Sequence, residues 1–172
     1  MKFLPLDTPE RVEQVAAWLA EPRNYQWLDF GNGVQTLSAA TLRIMVQKDV
    51  NFLRLFTADD EVTPAGVVGL SNVDRKFKTA NLWIVLGDKQ FSFKGLAVKA
   101  VSRMIRLGFQ ELGLGAVQCW CVAGNSASRR LIRMMNFQPV GTLRQCHRMD
   151  GKAYDRELFD LLPTEFTGVA DD

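Results

Sequence analysis

One histidine and three cysteines are all that the chain offers of the residues most used for metal binding and redox work. Three thiols cannot all pair within one chain, and Cys119 and Cys121 flank a single residue, which excludes a disulfide framework and points to a reducing compartment. A four-ligand zinc site would need Cys119, Cys121, Cys146 and His147 to converge, yet strand alternation sends Cys146 and His147 to opposite faces, so no metal is expected. Long apolar runs are also lacking: none approaches the roughly 20 residues of a membrane span. The N-terminus MKFLPLDTPER has no long apolar segment with a small-residue cleavage pattern, so a cytoplasmic protein with no membrane partner is expected. Neither sign of charge dominates, with 21 Lys plus Arg against 19 Asp plus Glu, and nothing global calls for nucleic acid. Repeats, low-complexity tracts and linkers are absent, so residues 1–172 read as one domain, with 165–172 expected to fray.

What is present is a change of hydrophobic period along the chain. A short strand near 1–6 precedes a helix capped by Asp7 or Thr8, and a second helix capped by Ser38 runs to about Lys48. Between them, EPRNYQWLDFGNGVQTL has no clean period. Alternation then predicts strands in NFLRLFTA, AGVVGLSNV and TANLWIVLG, joined as an antiparallel meander, with RKFK at 75–78 as a charged turn. Helical spacing returns over 95–113, AVQCWCV reads as a strand, and a helix follows from Asn125 to about Met135 with Leu131, Met134 and Met135 at core spacing. FQPVGTLRQCHRM and AYDRELFDLL are strands joined at Asp150-Gly151, a hairpin pair. The long crossover helix makes TANLWIVLG and AVQCWCV parallel neighbours. The expected fold is α/β, one mixed sheet of six to seven strands flanked by about four helices.

Two junctions carry candidate chemistry. GDKQFSFKGLAVKAV puts glycine, lysine and small residues between a strand end and a helix start, where unpartnered N–H groups and the helix dipole favour phosphate oxygens. Gly95 and Ala97 would leave that approach open. The same stretch also reads simply as a strand-to-helix turn. The second junction, CVAGNSASRRLIRMMNF, opens a helix with Gly124, Asn125, Ser126 and Ser128.

The element order and these residues together resemble the GCN5-related N-acetyltransferase (GNAT) family, most closely its ribosomal-protein N-terminal acetyltransferase (RimJ/RimL-type) branch. Ser92, Phe93, Lys94, Gly95, Leu96 and Ala97 stand where that family has its Gln/Arg-x-x-Gly-x-Gly/Ala pyrophosphate loop. Asn125, Ser128 and Leu131, closing on Asn136-Phe137, resemble its Asn-x-x-Ser/Ala helix ending in Gly-Phe. Likeness covers residues 50–162 well, as an acetyl-CoA-binding core, and 1–49 loosely, as an acceptor-binding part. Two positions depart: Ser92 replaces the longer Gln or Arg, and Ile132 sits where many members carry a thiolate-protonating tyrosine.

The resemblance implies acetyl-CoA as co-substrate, a sheet splayed between its fourth and fifth strands, and pantetheine lying in the gap. Backbone N–H groups of Trp83, Ile84 and Val85 would then serve the thioester oxygen. Asn125 would cap its helix and hold the cofactor arm, with Arg129 a candidate phosphate contact. Ser128 is carried over as the proton donor to the thiolate, beside its plainer reading as a helix-start hydroxyl. His147 matches the place of a catalytic glutamate in that branch and has a suitable ordinary pKa for a general base, beside its reading as an exposed hairpin residue. Tyr25, Trp27, Asp29, Phe30 and Tyr154 would line an aromatic, mildly acidic wall for an amine. The competing reading is a non-catalytic acyl-CoA-binding module; a monomer and a homodimer both remain open.

Overall fold

The computed structural model describes residues 1–92 and 94–169. Among the described residues, seven strands form one sheet in the order β1-β2-β3-β4-β5-β7-β6. They are β1 (Phe3–Pro5), β2 (Phe52–Thr57), β3 (Pro64–Asp74), β4 (Thr79–Leu86), β5 (Ala116–Val122), β6 (Gln138–Met149) and β7 (Lys152–Leu161). The helices are α1 (Pro9–Leu19), α2 (Pro22–Tyr25), α3 (Ala39–Gln47), α4 (Leu96–Gln110) and α5 (Ser126–Met134), with a 3-10 turn at Lys89–Phe91. Among the described residues five helices stand where about four were expected, because the stretch without clean period holds α2, set by Pro22 in its first turn.

Local rules account for most element ends. Thr8 caps α1 by accepting from the Arg11 N–H, and Ser38 caps α3 by accepting from Thr41 N–H. Asp150 and Gly151 both have positive φ, 49° and 74°, as a two-residue hairpin turn requires between β6 and β7. Asn136 closes α5 at φ 64°, and Phe137 N–H reaches back 3.2 Å to Ile132 O, so the asparagine takes the left-handed place that glycine commonly fills. Helix α4 ends earlier than its apolar spacing suggested, at Gln110, with Gly113 in the left-handed region beyond it.

Two apolar clusters sit on opposite faces of the sheet. One packs α4 and α5 on it and contains Phe56, Val68, Leu70, Ala80, Leu96, Met104, Ile105, Val117, Cys119, Cys121, Ile132, Met135 and Leu161, so it draws on β2, β3, β4, β5 and β7. The other packs α1 and α3 through Val12, Val15, Trp18, Leu19, Leu42, Leu53, Leu55, Val67 and Val85, and among the described residues it holds none from β5, β6 or β7. Trp18 fits against Gly87 so closely that a Cβ there would collide with the indole. Met134, expected in the core, is 53% exposed, because α5 turns Ile132 and Met135 inward instead.

The tail departs from expectation as well. Phe166 packs edge-on to Phe109, and Val169 N–H donates to Ser102 Oγ at 2.8 Å, so the chain is docked on α4 as far as Val169. Residues 170–172 lie outside the described residues.

Candidate functional site

β4 and β5 run parallel, but their pairing covers only residues 79–81 against 116–118. Beyond it, β4 stays zipped to β3 as far as Leu86 and β5 to β7 as far as Val122, so the two strands diverge and their facing edges are left without a ladder. An unpaired strand edge presents backbone donors and acceptors that need a partner. Trp83, Ile84 and Val85 lie on the open part of β4. Ile84 points to the α4 side, and Trp83 and Val85 to the α1–α3 side.

The gap opens toward two helix starts. Gly95 is the N-cap of α4 at φ 72° with no side-chain cap, so the first N–H groups of a 15-residue helix, from Leu96 and Ala97 onward, face outward unclaimed by a cap. A Cβ at Gly95 would meet nothing; glycine is needed for the backbone angle, not for room. Ser92 is exposed, and its hydroxyl donates to Lys89 O at 2.7 Å, closing the 3-10 turn. Lys94 is exposed and lies over the Phe91 ring. Phe93 lies outside the described residues.

At the other start, Asn125 Oδ1 accepts from Ser128 N–H at 3.1 Å, the cap expected of it. The Ser128 side chain is half-buried, and its hydroxyl makes no hydrogen bond among the described residues. Arg129, a candidate phosphate contact, is instead held by Glu157 through two bonds, Nε to Oε2 at 2.9 Å and Nη2 to Oε1 at 2.5 Å. Glu157 was not singled out from the sequence; its place on β7 opposite Cys121 follows from register alone. Burial, with the Glu157 charge added, pushes the Cys121 thiol up to about 11, and burial raises Cys119 further. Neither thiol is a nucleophile at neutral pH. Ile132 is buried in the core.

On the α1–α3 side, Trp83 and Trp120 hold equivalent register places on either side of the gap, two residues past the last paired position in each strand. Phe30 meets Trp83 edge-on at 5.5 Å between ring centres. Residues 26–30 reach across to β6 and β7 through two polar links. His147 Nε2 lies 2.6 Å from Gln26 O, and Arg156 Nη2 lies 2.7 Å from Asp29 Oδ2. Arg156 also donates to His147 Nδ1, from Nε at 3.2 Å and Nη2 at 2.9 Å, and its guanidinium lies 4.2 Å above the Trp120 ring. These bonds fix the histidine tautomer with its proton on Nε2, donated to Gln26 O.

That arrangement corrects the alternative reading of His147 as an exposed hairpin residue. The side chain is buried, and both ring nitrogens have partners, so no lone pair is offered to an incoming amine. The acidic wall is altered too. Burial works to raise the Asp29 carboxyl, but bonds from Arg156 and the Gly31 and Gly33 N–H groups outweigh it and hold the group below its usual range, as a carboxylate committed to its own neighbours. Tyr25, Trp27 and Phe30 are half-buried in this segment, and Tyr154 pairs with His147 across the hairpin.

The family model described as "Acetyltransferase (GNAT) domain" matches residues 2–138. The uncharacterized N-acetyltransferase p20 of Bacillus licheniformis is 31% identical over 109 residues, 63% of this chain and 60% of that protein. The uncharacterized N-acetyltransferase YoaA of Bacillus subtilis is 28% identical over 97 residues, 56% of this chain and 54% of its own. The chain thus spans less than two-thirds of the length of these relatives. Among solved structures, the spermidine N-acetyltransferase of Vibrio cholerae in complex with CoA and spermine superposes with a TM-score of 0.82 over 95% of this chain and 96% of that one, at 14% identity. At that identity the likeness is one of fold.

Proposed function

Since the chain belongs to the GNAT acetyltransferase family, we propose that it transfers an acetyl group from acetyl-CoA to the nitrogen of a primary amine. The observation that carries this reading is the β4–β5 ladder that stops at residues 81 and 118 and opens toward the uncapped start of α4. A pantetheine chain carries amides that match an unpaired strand edge, and a pyrophosphate matches helix N–H groups, so the residues present fit acetyl-CoA. Residues 82–86 would hold the pantetheine, Gly95, Leu96 and Ala97 the pyrophosphate, and Lys94 would add charge beside it. Arg129 is already committed to Glu157 and is assigned to positioning α5.

Acetyl-CoA supplies an activated acyl group. The amine nitrogen bonds to the acyl carbon as the carbon–sulfur bond breaks, and the products are an amide and a free thiol. Backbone N–H groups of Trp83, Ile84 or Val85 stabilise the developing oxyanion. The proton that the nitrogen loses leaves to solvent, and the sulfur gains one; the Ser128 hydroxyl, unbonded at the start of α5, is the donor in reach of that duty. His147 is assigned to holding Gln26 and Arg156, not to taking the amine proton. The name of the Vibrio cholerae neighbour supports CoA and an amine as the ligand pair for this fold. Small amines, amino sugars and protein N-termini, the last in keeping with the RimJ/RimL-type resemblance, are the acceptor classes considered.

Titration calorimetry with acetyl-CoA, and with dephospho-CoA beside it, tests the reading. Saturable micromolar binding is expected, followed by acceptor-dependent release of CoA. Binding without release for any amine would favour the non-catalytic acyl-CoA module, for which the buried Ile132 in place of a tyrosine is the supporting feature.

A further inference from the structure

Arg156 has unfinished bonding. Its side chain is 15% exposed, and its Nε and Nη2 edge is spent on His147 and Asp29. Nη1 makes no hydrogen bond among the described residues. Nor is it sealed from solvent, for the buried side-chain nitrogen without a partner among the described residues is Trp83 Nε1. Two N–H groups of a guanidinium therefore face reachable space. The group is held rigidly: Trp120 lies under its plane, and His147 and Asp29 fix its far edge. A planar cation locked in this way loses little freedom on binding an oxyanion, and its spare donors match oxygen acceptors.

Place and charge add to this. Trp120 stands at the gap, so Arg156 stacked on it flanks the side from which an amine would enter. The carboxylates of Asp29 and Glu157 are each taken by an arginine, so neither is an open counter-charge for a polycation. Resting on the acetyl-transfer reading above, we infer that Arg156 recognises an anionic oxygen group on the acceptor, so that the preferred substrate is a small amine carrying a carboxylate or phosphate and not a polyamine.

The test compares kcat/KM for matched acceptors with acetyl-CoA saturating: an α-amino acid, its carboxamide and its decarboxylated amine, then phosphoethanolamine with ethanolamine, and spermidine. The two sets separate carboxylate from phosphate. Each is run with the wild type and Arg156→Gln, so that the differing basicity of the amines cancels between proteins, and acetyl-CoA affinity is measured by calorimetry for both. The expected result is that the wild type favours one acidic acceptor over its uncharged partner by about tenfold or more, that Arg156→Gln loses this preference, that acetyl-CoA affinity is unchanged, and that the acetylated acidic product binds the variant about tenfold more weakly. A wild-type preference for the uncharged acceptors or spermidine, or an acidic preference that survives in the variant, would overturn the inference and leave acetyl transfer standing. Acetyl-CoA binding with no turnover across the panel would overturn the inference as well, and would count towards the non-catalytic module. Failure of the wild type to bind acetyl-CoA would bring down both. Should Arg156→Gln fail to fold by circular dichroism, the wild-type ranking decides, with Arg156→Lys as the second variant, expected to keep the charge but lose most of the preference.

Discussion

Asp29 Oδ2 and Arg156 Nη2 meet at 2.7 Å although 127 residues separate them in the chain, and both side chains are largely buried. The contact binds the loop after α2 to β7, on the α1–α3 side of the gap. It fixes the guanidinium over Trp120, and the guanidinium fixes His147.

The pair gives stability a pH dependence of known sign. Burial alone would raise the Asp29 carboxyl, but bonds from Arg156, Gly31 and Gly33 win and lower it from 3.8. A carboxyl whose folded pKa lies below its unfolded one stabilises the fold above the unfolded value, and that contribution is lost as pH falls through the folded value. Asp29→Asn is expected to lose about 1–3 kcal/mol at pH 7, with the gap from wild type closing as pH falls below about 4. Denaturant unfolding at pH 7, 5 and 3 measures it; an equal gap at all three would show that the pair does not titrate with folding.

For His147→Gln, the expected change is in KM for the amine, raised several-fold as residues 26–30 lose their anchor, with acetyl-CoA affinity kept. The acid limb of the kcat/KM profile stays where it is, because both ring nitrogens of His147 are already bonded within the protein and neither meets the amine. A limb that flattens in this variant would restore the histidine as the base.

Ser128→Ala removes a hydroxyl that bonds to nothing among the described residues, so unfolding free energy is expected to move by less than about 0.5 kcal/mol. Turnover is expected to fall by about a hundredfold or more with acetyl-CoA affinity unchanged, the size associated with losing a positioned proton donor. Unaltered kcat would reassign the serine to the helix start alone.

Gly95→Ala tests the α4 start without crowding it, since the new methyl meets open space. The left-handed φ of 72° makes alanine strained by about 1–2 kcal/mol. Relaxation of that strain would turn the first N–H groups of α4, so acetyl-CoA is expected to bind several-fold more weakly in calorimetry while the amine KM holds. Equal affinity for acetyl-CoA would remove this turn from the phosphate site.

Much of the architecture is legible in residue order because its rules are local. Alternation places Cys119 and Cys121 on one face, Asp150-Gly151 makes the hairpin, and Asn125 makes the cap. Family resemblance located the gap between β4 and β5. What the residues alone did not disclose depends on distance in the fold. Arg156 reads as an ordinary charged residue of a strand until Asp29, His147 and Trp120 are brought around it from three other parts of the chain. Glu157 likewise takes Arg129 away from its expected role only through the register of β5 with β7. Alternation correctly sends Cys146 and His147 to opposite faces, but the burial of His147 depends on Gln26, 121 residues away in the chain, closing on its ring.

The two sides of the short seam between β4 and β5 are closed by different materials. Oily packing under α4 crosses it without interruption, whereas the cluster under α1 and α3 stops at β4, and reaching β6 and β7 from there takes hydrogen bonds through Gln26 and Asp29. One face is therefore joined by apolar contact spread over many side chains and the other by a few directional bonds, so a single substitution at Asp29 or His147 can undo the second seam while leaving the first intact.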